Sequence, residues 1–298
     1  MLEKKVLIDV GSSTVKVYVL VDGELELKEI KSIFFKDDFS SDGISDEKES
    51  ELINFLEEIK GRFVFYDIHI YATAIFRKLS DDARRAFVDK VDKMLGLEFN
   101  IISQEKESFY LEKALVGKCG LNESILLINI GGGSTELVVV LNGEVIEKKN
   151  IDVGVGTLLK KFSGVNDKYS SVSKNAIIEF VIGVFPEIGR NISKAFYTGG
   201  ELKYMKVAGY PLLKNDFFED SDHPKIITYD SFVSKNNDIF SNISLGELEG
   251  FMPESPKWMF GARACSALAE AICSKYGVKY IIPSNSNLID GVFRVEYS

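Results

Sequence analysis

Apolar residues near the start of the chain come in runs. The stretch "VLIDVGSSTVKVYVLVDGELELKEI" (residues 6–30) reads as strand, glycine/hydroxyl turn, strand, tight turn, strand. Asp22-Gly23 between two apolar runs is a two-residue hairpin turn, because both central positions take positive φ. The period then changes. Residues 45–62 carry Leu52, Ile53, Leu56 and Ile59 at helical spacing. "SDDARRAFVDKVDKMLG" opens on Ser80, an N-cap followed by an acidic first turn, and its apolar residues also recur at helical spacing. "RFVFYDIHIYATA" (62–74) and "EFNIISQ" (98–104) are expected as strands, and "EKESFYLEKALVG" (105–117) as a helix. Further on, residues 172–185 and 262–277 read as helices, 194–201 as strand into turn, 278–285 as a strand and 287–297 as a final helix. Residues 34–45 and 214–242 are polar enough to be expected as mobile loops. The order is mixed α/β.

The opening pattern recurs. "LLINIGGGSTELVVVLNGEVIEKKN" (126–150) aligns with residues 6–30 without gaps at an offset of 120. Asp9 falls on Asn129, Gly11 on Gly131, Thr14 on Ser134, Gly23 on Gly143 and Glu24 on Glu144. Turns of this kind expose backbone N–H groups, which make anion-binding concavities. A plain turn has no reason to recur with its flanking acid or amide. Two homologous domains are therefore expected, 1–121 and 122–286, with the last helix, 287–298, free to pack back on the first. Two such loops can face each other across a cleft.

Composition narrows the function. At ~150 residues per domain, 298 residues suit two domains, each with a core. A formal net charge of −9 disfavours nonspecific nucleic-acid binding, and an anionic substrate would need a local basic pocket. Cys119, Cys265 and Cys273 lack CxxC spacing and read as buried apolar residues of a reducing compartment. With only His69 and His223, a zinc site or a Ser-His-Asp triad is poorly supplied, and His69 alternates within a strand pattern. Neither a signal-peptide pattern nor a run of ~18 apolar residues occurs, so a cytoplasmic protein with no membrane partner is expected. No Walker or Rossmann glycine motif is present.

The ordered motifs then carry a resemblance. "IDVGS" near the start, "ATAIFR" (72–77), "IIS" followed by "QEKES", and "IGGGSTEL" resemble the exopolyphosphatase/guanosine pentaphosphate phosphohydrolase family. "DVGVGTLLKKF", "YTGG" and "SNSNLIDGVF" look like its later segments, so the likeness spans essentially the whole chain, at the length of the short two-domain members. It implies an actin-like fold: two ribonuclease-H-like domains around a central cleft. It implies magnesium-dependent hydrolysis of terminal phosphate from inorganic polyphosphate or guanosine pentaphosphate. A homodimer is compatible with the sequence and not decided by it. The resemblance places the water-activating base at Glu107, with Lys106 where the family usually has a second Glu. Arg77 is expected to contact phosphate, and Glu136 matches a family Glu. Asp9 is retained, whereas Asn129 replaces an Asp, leaving Asp9, Asn129 and Glu107 as the implied metal-side residues. The family's R-A-D segment appears as "ESPKW", with neither Arg nor Asp, and nearby Lys257 and Arg263 read as ordinary helix-surface residues.

The chemistry fits these residues. Phosphoanhydride hydrolysis needs positioning and charge stabilisation, with little covalent work for the protein. Gly11, Ser12, Ser13 and Thr14, then Gly131, Gly132, Gly133, Ser134 and Thr135, and Thr198, Gly199 and Gly200 offer donors to phosphate oxygens. Arg77 can fork two oxygens. Glu107 is placed to orient water, with Lys106 expected to depress its pKa if the two are close. Two rivals stand beside this reading. One is a catalytically weakened or inactive polyphosphate- or alarmone-binding member, motivated by Asn129, Lys106 and the missing R-A-D. The other is an ATP-using kinase of the same superfamily, against which "ATAIFR" and the "IIS" segment argue.

Overall fold

The computed structural model describes residues 4–35, 38–116, 123–168, 170–217, 222–253 and 256–297. The chain divides into two compact units: Met1–Ala114 with Leu288–Ser298, and Leu115–Asn287.

The first unit is built on a five-stranded sheet. Strands β1 (Lys5–Val10), β2 (Thr14–Val21) and β3 (Glu24–Ser32) form an antiparallel meander, followed by the short hairpin β4 (Phe39–Ser40) and β5 (Gly43–Ile44). Helix α1 (Asp46–Arg62) leads to β6 (Asp67–Ala72), a 3-10 turn (Ala74–Lys78), α2 (Asp81–Leu95), β7 (Phe99–Ile101) and α3 (Gln104–Val116). The sheet order is β3-β2-β1-β6-β7, with β6 parallel to β1 and β7 parallel to β6. Alternation along β1 sends Val6, Ile8 and Val10 to one face, against Leu52, Leu56 and Ile59 of α1 and Phe87 and Val91 of α2. Leu7 goes to the other face, with Tyr18, Tyr71, Ile102 and Tyr110. Each large aliphatic so buried contributes ~1.5–3 kcal/mol. The helices start where their caps stand. Ser45 accepts from the Lys48 N–H and Ser80 from the Ala83 N–H, and α2 stops at Gly96, whose φ is 60°.

The second unit repeats the plan. Strands β8 (Ser124–Ile130), β9 (Thr135–Leu141) and β10 (Glu144–Ile151) form the meander. Helix α4 (Val155–Lys161), α5 (Ser171–Val184), β11 (Lys194–Thr198), α6 (Glu201–Val207), β12 (Leu213–Lys214) and β13 (Lys225–Thr228) follow. Then come α7 (Tyr229–Asn242), α8 (Leu245–Gly250), α9 (Pro256–Met259), α10 (Ala262–Tyr276) and β14 (Tyr280–Pro283). The order β10-β9-β8-β11-β14 mirrors the first sheet, and β13 and β12 extend it. The chain closes with α11 (Leu288–Val292) and a π-helical turn, Phe293–Tyr297. Leu288, Ile289 and Val292 pack with Leu7, Tyr18, Tyr71 and Tyr110 of the first unit's sheet face. Both meander turns have the backbone the sequence demands: Asp22 and Gly23 at φ 56° and 82°, Asn142 and Gly143 at 53° and 78°.

Four expectations are corrected. Residues 62–66 are not strand: α1 runs to Arg62, Phe63 and Tyr66 close a turn by a backbone bond of 3.0 Å, and Phe65 is 91% exposed. The described part of 34–45 is the β4–β5 hairpin with Phe35 and Ile44 buried. Most of 214–242 is β13 and α7, a helix whose buried stripe is only Phe232, Asn236, Ile239 and Phe240. Arg263 is fully buried, donating to the carbonyls of Ile239 (3.2 Å) and Ile243 at the C-terminal end of α7, where a cation complements the helix dipole. Cys119, Glu254, Ser255 and the Lys257 side chain lie outside what is described. Cys273 is buried and Cys265 half-buried, both as free thiols.

Candidate functional site

Each meander places a short loop between its first two strands, residues 11–13 in the first unit and 131–134 in the second. In the first unit the Gly11 N–H donates to the Thr14 carbonyl (2.9 Å); in the second, Gly131 donates to Ser134 (2.8 Å). Among the described residues, the N–H groups of Ser12, Ser13, Gly132 and Gly133 find no protein acceptor, which leaves them for an anion.

The strand register decides what flanks each loop. Asp9 stands opposite Lys16, with Nζ 3.9 Å from the carboxylate. Burial raises the Asp9 pKa and Lys16 opposes that rise. Asn129 stands opposite Glu136, which is buried. Asn129 Nδ2 donates to Glu136 Oε2 (3.0 Å) and Ser134 Oγ to Glu136 Oε1 (2.9 Å), so both oxygens hold internal donors. Asn129 Oδ1 lies 3.4 Å from Thr198 Oγ1. The second loop is also braced from behind. Val155 and Gly156 donate to the carbonyls of Gly131 (3.0 Å) and Gly132 (2.7 Å), and Thr135 Oγ1 donates to the Val153 carbonyl (2.6 Å). A Cβ on Gly154 would meet Gly131 O at 2.5 Å and Ser134 N at 2.7 Å, so the "DVGVG" glycine exists to let two backbones touch.

Arg77 and Glu107 come together in the first unit. Arg77 lies in the 3-10 turn after β6, Glu107 sits in the first turn of α3, and Nη1 lies 2.5 Å from Oε2. Both are about one-fifth exposed. Lys106 turns elsewhere: its Nζ lies 4.0 Å from Glu296 and 5.4 Å from the Tyr110 ring centre. The cation beside Glu107 is therefore Arg77, and the closeness on which the Lys106 expectation depended is not met. Successive helical residues project about 100° apart, which separates the two.

Gly199 and Gly200, at φ 111° and 101°, turn the chain from β11 into α6. Next comes Glu201, buried and pushed up to about 8 by that burial, with hydrogen bonds from Tyr197 and Cys265 opposing the rise. Its N–H donates to the Ser284 carbonyl (3.2 Å). Sequence reasoning missed Glu201 and Lys16. For Lys16 the signal existed, because the offset of 120 sets it on Glu136.

A family model described as the Ppx/GppA phosphatase family matches residues 34–195, more than half of the chain. The chain belongs to the Ppx/GppA phosphatase family. A guanosine-5'-triphosphate,3'-diphosphate pyrophosphatase from Pseudoalteromonas translucida is 31% identical over 122 residues, 41% of this chain but only 24% of that relative's length. In structure, the chain resembles the Ppx/GppA family member of Aquifex aeolicus (TM-score 0.76, 19% identity, 99% of this chain and 98% of that one). It also resembles an exopolyphosphatase from Cytophaga hutchinsonii (TM-score 0.76, 13% identity, 98% and 96% covered). These likenesses give this Ppx/GppA chain its two-domain fold. Among its described residues no helix is long and apolar enough to cross a membrane.

Proposed function

We propose that this protein hydrolyses the terminal phosphoanhydride bond of inorganic polyphosphate or guanosine pentaphosphate, in the cytoplasm. The observation that carries the reading is the Arg77–Glu107 pair, a phosphate-forking guanidinium holding a carboxylate at 2.5 Å on the first turn of α3. When phosphate oxygens take the guanidinium, the carboxylate is released to accept a proton from water. The water oxygen attacks the terminal phosphorus, the bridging P–O bond breaks, and the shortened chain leaves as an anion. The glycine loops at 11–14 and 131–135, with Gly199 and Gly200, hold phosphate oxygens through N–H donors, the work that dominates such reactions.

Magnesium belongs to this reading as a partner of the substrate. Among the described residues, no three His, Cys, Asp or Glu side chains lie close enough to hold a metal by themselves. Oxygen donors of the kind carried by Asp9 and Glu107 in the first unit and by Asn129 in the second suit a hard cation that keeps waters and phosphate oxygens as its other ligands. Bound there, Mg²⁺ supplies charge neutralisation for the phosphates.

A phosphate-release assay on both substrates, with and without Mg²⁺, tests the proposal. The parent is expected to release phosphate, and Glu107→Gln to lower kcat by roughly 10²–10⁴ with KM little changed. No release from either substrate, or a fully active Glu107→Gln, would overturn it. The Asn129–Glu136 hydrogen bond favours one rival, a polyphosphate- or alarmone-binding protein without turnover. That rival predicts ligand binding at background hydrolysis, with turnover appearing in Asn129→Asp.

A further inference from the structure

Arg77 and Glu107 stand on different elements, so their contact depends on how β6 and α3 are registered. Direct ties between these elements include the Tyr71 and Tyr110 rings, which meet edge to face at 6.4 Å. Strands β6 and β7 pair over three residues, and Ile102 donates to the Ala72 carbonyl (3.0 Å) just before α3 begins. One side chain reaches both. The Glu296 carboxylate accepts from Tyr71 Oη of β6 (2.9 Å) through one oxygen and from Tyr110 Oη of α3 through the other. Tyr71 lies six residues before Arg77, and Tyr110 three residues after Glu107, less than one helical turn.

We propose that Glu296 is a positioning residue: it clamps β6 to α3 and so sets Arg77 against Glu107. The inference rests on the hydrolase reading for its kinetic arm alone. Three observations support it. Both tyrosines are buried, and burial first raises their pKa values, with Tyr297 and then Glu296 adding to it at Tyr71 and Glu296 at Tyr110, so they remain donors. A Cβ on Gly291 would fall 1.7 Å from the Tyr110 carbonyl, so α11 approaches the backbone of α3 as only glycine allows, and that approach delivers Glu296. Tyr297, the next residue, places its hydroxyl 3.3 Å from that of Tyr71 and its ring centre 5.0 Å from Lys5 Nζ. The clamp also accounts for Lys106. A second glutamate at 106 would face Glu296, whereas the lysine pairs with it at 4.0 Å.

Hydrogen exchange and steady-state kinetics on Glu296→Ala and Glu296→Gln test the clamp. Glu296→Ala is expected to speed amide exchange about tenfold in residues 70–78 and 104–112, leaving 131–136 at the parental rate. It is expected to lower kcat for phosphate release at least tenfold with KM within twofold. Glu296→Gln, which keeps an acceptor of the same shape, is expected to restore most of both. Parental exchange in α3 together with parental kcat in Glu296→Ala would overturn the proposal. So would exchange raised evenly through the whole first unit, or failure of the Gln variant to rescue, since either marks a merely structural residue. A parent without phosphate release would instead sink the hydrolase reading, and the exchange pattern would still decide the clamp.

Discussion

In the first glycine hairpin the acid stands on the incoming strand and faces a lysine; in the second it stands on the outgoing strand and faces an amide. Asp9 pairs with Lys16, whereas Glu136 holds Asn129 and Ser134. The backbones match closely enough that Gly11 and Gly131 close their turns with bonds of 2.9 and 2.8 Å. The difference is in net charge. The first hairpin sets its carboxylate against an ammonium, and the second gives its carboxylate neutral donors, an amide and a hydroxyl. The repeat keeps the backbone of the turn and varies the side chains that flank it.

The loops differ in support as well, and this gives the largest expected effect. The first loop takes one brace, Ile33 N–H to the Ser13 carbonyl (3.1 Å). The second rests on a segment whose Gly154 would bring a Cβ within 3.0 Å of three backbone atoms. Backbone cannot rotate away, so Gly154→Ala should cost about 3 kcal/mol or more and lower phosphate release on the order of 100-fold. Gly11→Ala, whose Cβ meets only Thr14 O at 3.4 Å, should cost under about 1 kcal/mol. Denaturant melts and rate measurements on the pair check this. Equal effects would show that the two loops are supported alike.

A second contrast concerns the buried acid behind Gly200. Burial holds Glu201 up to about 8, above its ordinary 4.5. The folded state therefore keeps a proton that the unfolded chain has lost between those values. Its contribution to stability is complete below pH 4.5 and is lost as pH rises toward 8. Between pH 5 and 7 the parent should lose roughly 2 kcal/mol more than Glu201→Gln, in which nothing titrates. Unfolding free energies at the two pH values measure it. Parallel profiles would mean that Glu201 is ionised in the folded state.

Much of this was legible in the chain, for physical reasons that also mark where reading stopped. Ser45 and Ser80 announce their helices because a hydroxyl satisfies N–H groups that nothing else can. Asp22-Gly23 and Asn142-Gly143 announce their hairpins because few other pairs take two positive φ values. Helix α7 was hidden because its stripe of four buried positions includes Asn236, made acceptable by bonds to Tyr210 (2.6 Å) and Glu270 (2.7 Å). Residues 62–66 misled because an apolar run says nothing of whether it is covered. Within the site, the motifs named Arg77 and Glu107, but their pairing depends on tertiary placement. Whether Lys106 lies close to Glu107 stayed open, because adjacency in sequence is not adjacency on a helix, and Lys106 meets Glu296 instead. Glu296, 225 residues from Tyr71, carried no local signal at all.

The smallest effect bears most directly on the charge contrast. Asn129→Asp places a second carboxylate where Nδ2 now donates to Glu136 at 3.0 Å. A hydrogen bond to a charged group is lost and a like-charge contact replaces it, about 1.5–3 kcal/mol. For a unit of this size that is a fall in Tm of roughly 3–9 °C without magnesium. Millimolar Mg²⁺ should restore most of it, because two adjacent carboxylates now share one cation. The matching change in the first hairpin, Asp9→Asn, removes a pair 3.9 Å apart and leaves Lys16 half-buried, so it should move Tm by less and show no rescue by Mg²⁺. Thermal melts of both variants with and without the metal separate the cases. If Asn129→Asp melts at the same temperature in both buffers, the second hairpin does not face a metal. Glu136 then serves the loop alone, by holding Asn129 and Ser134 in place.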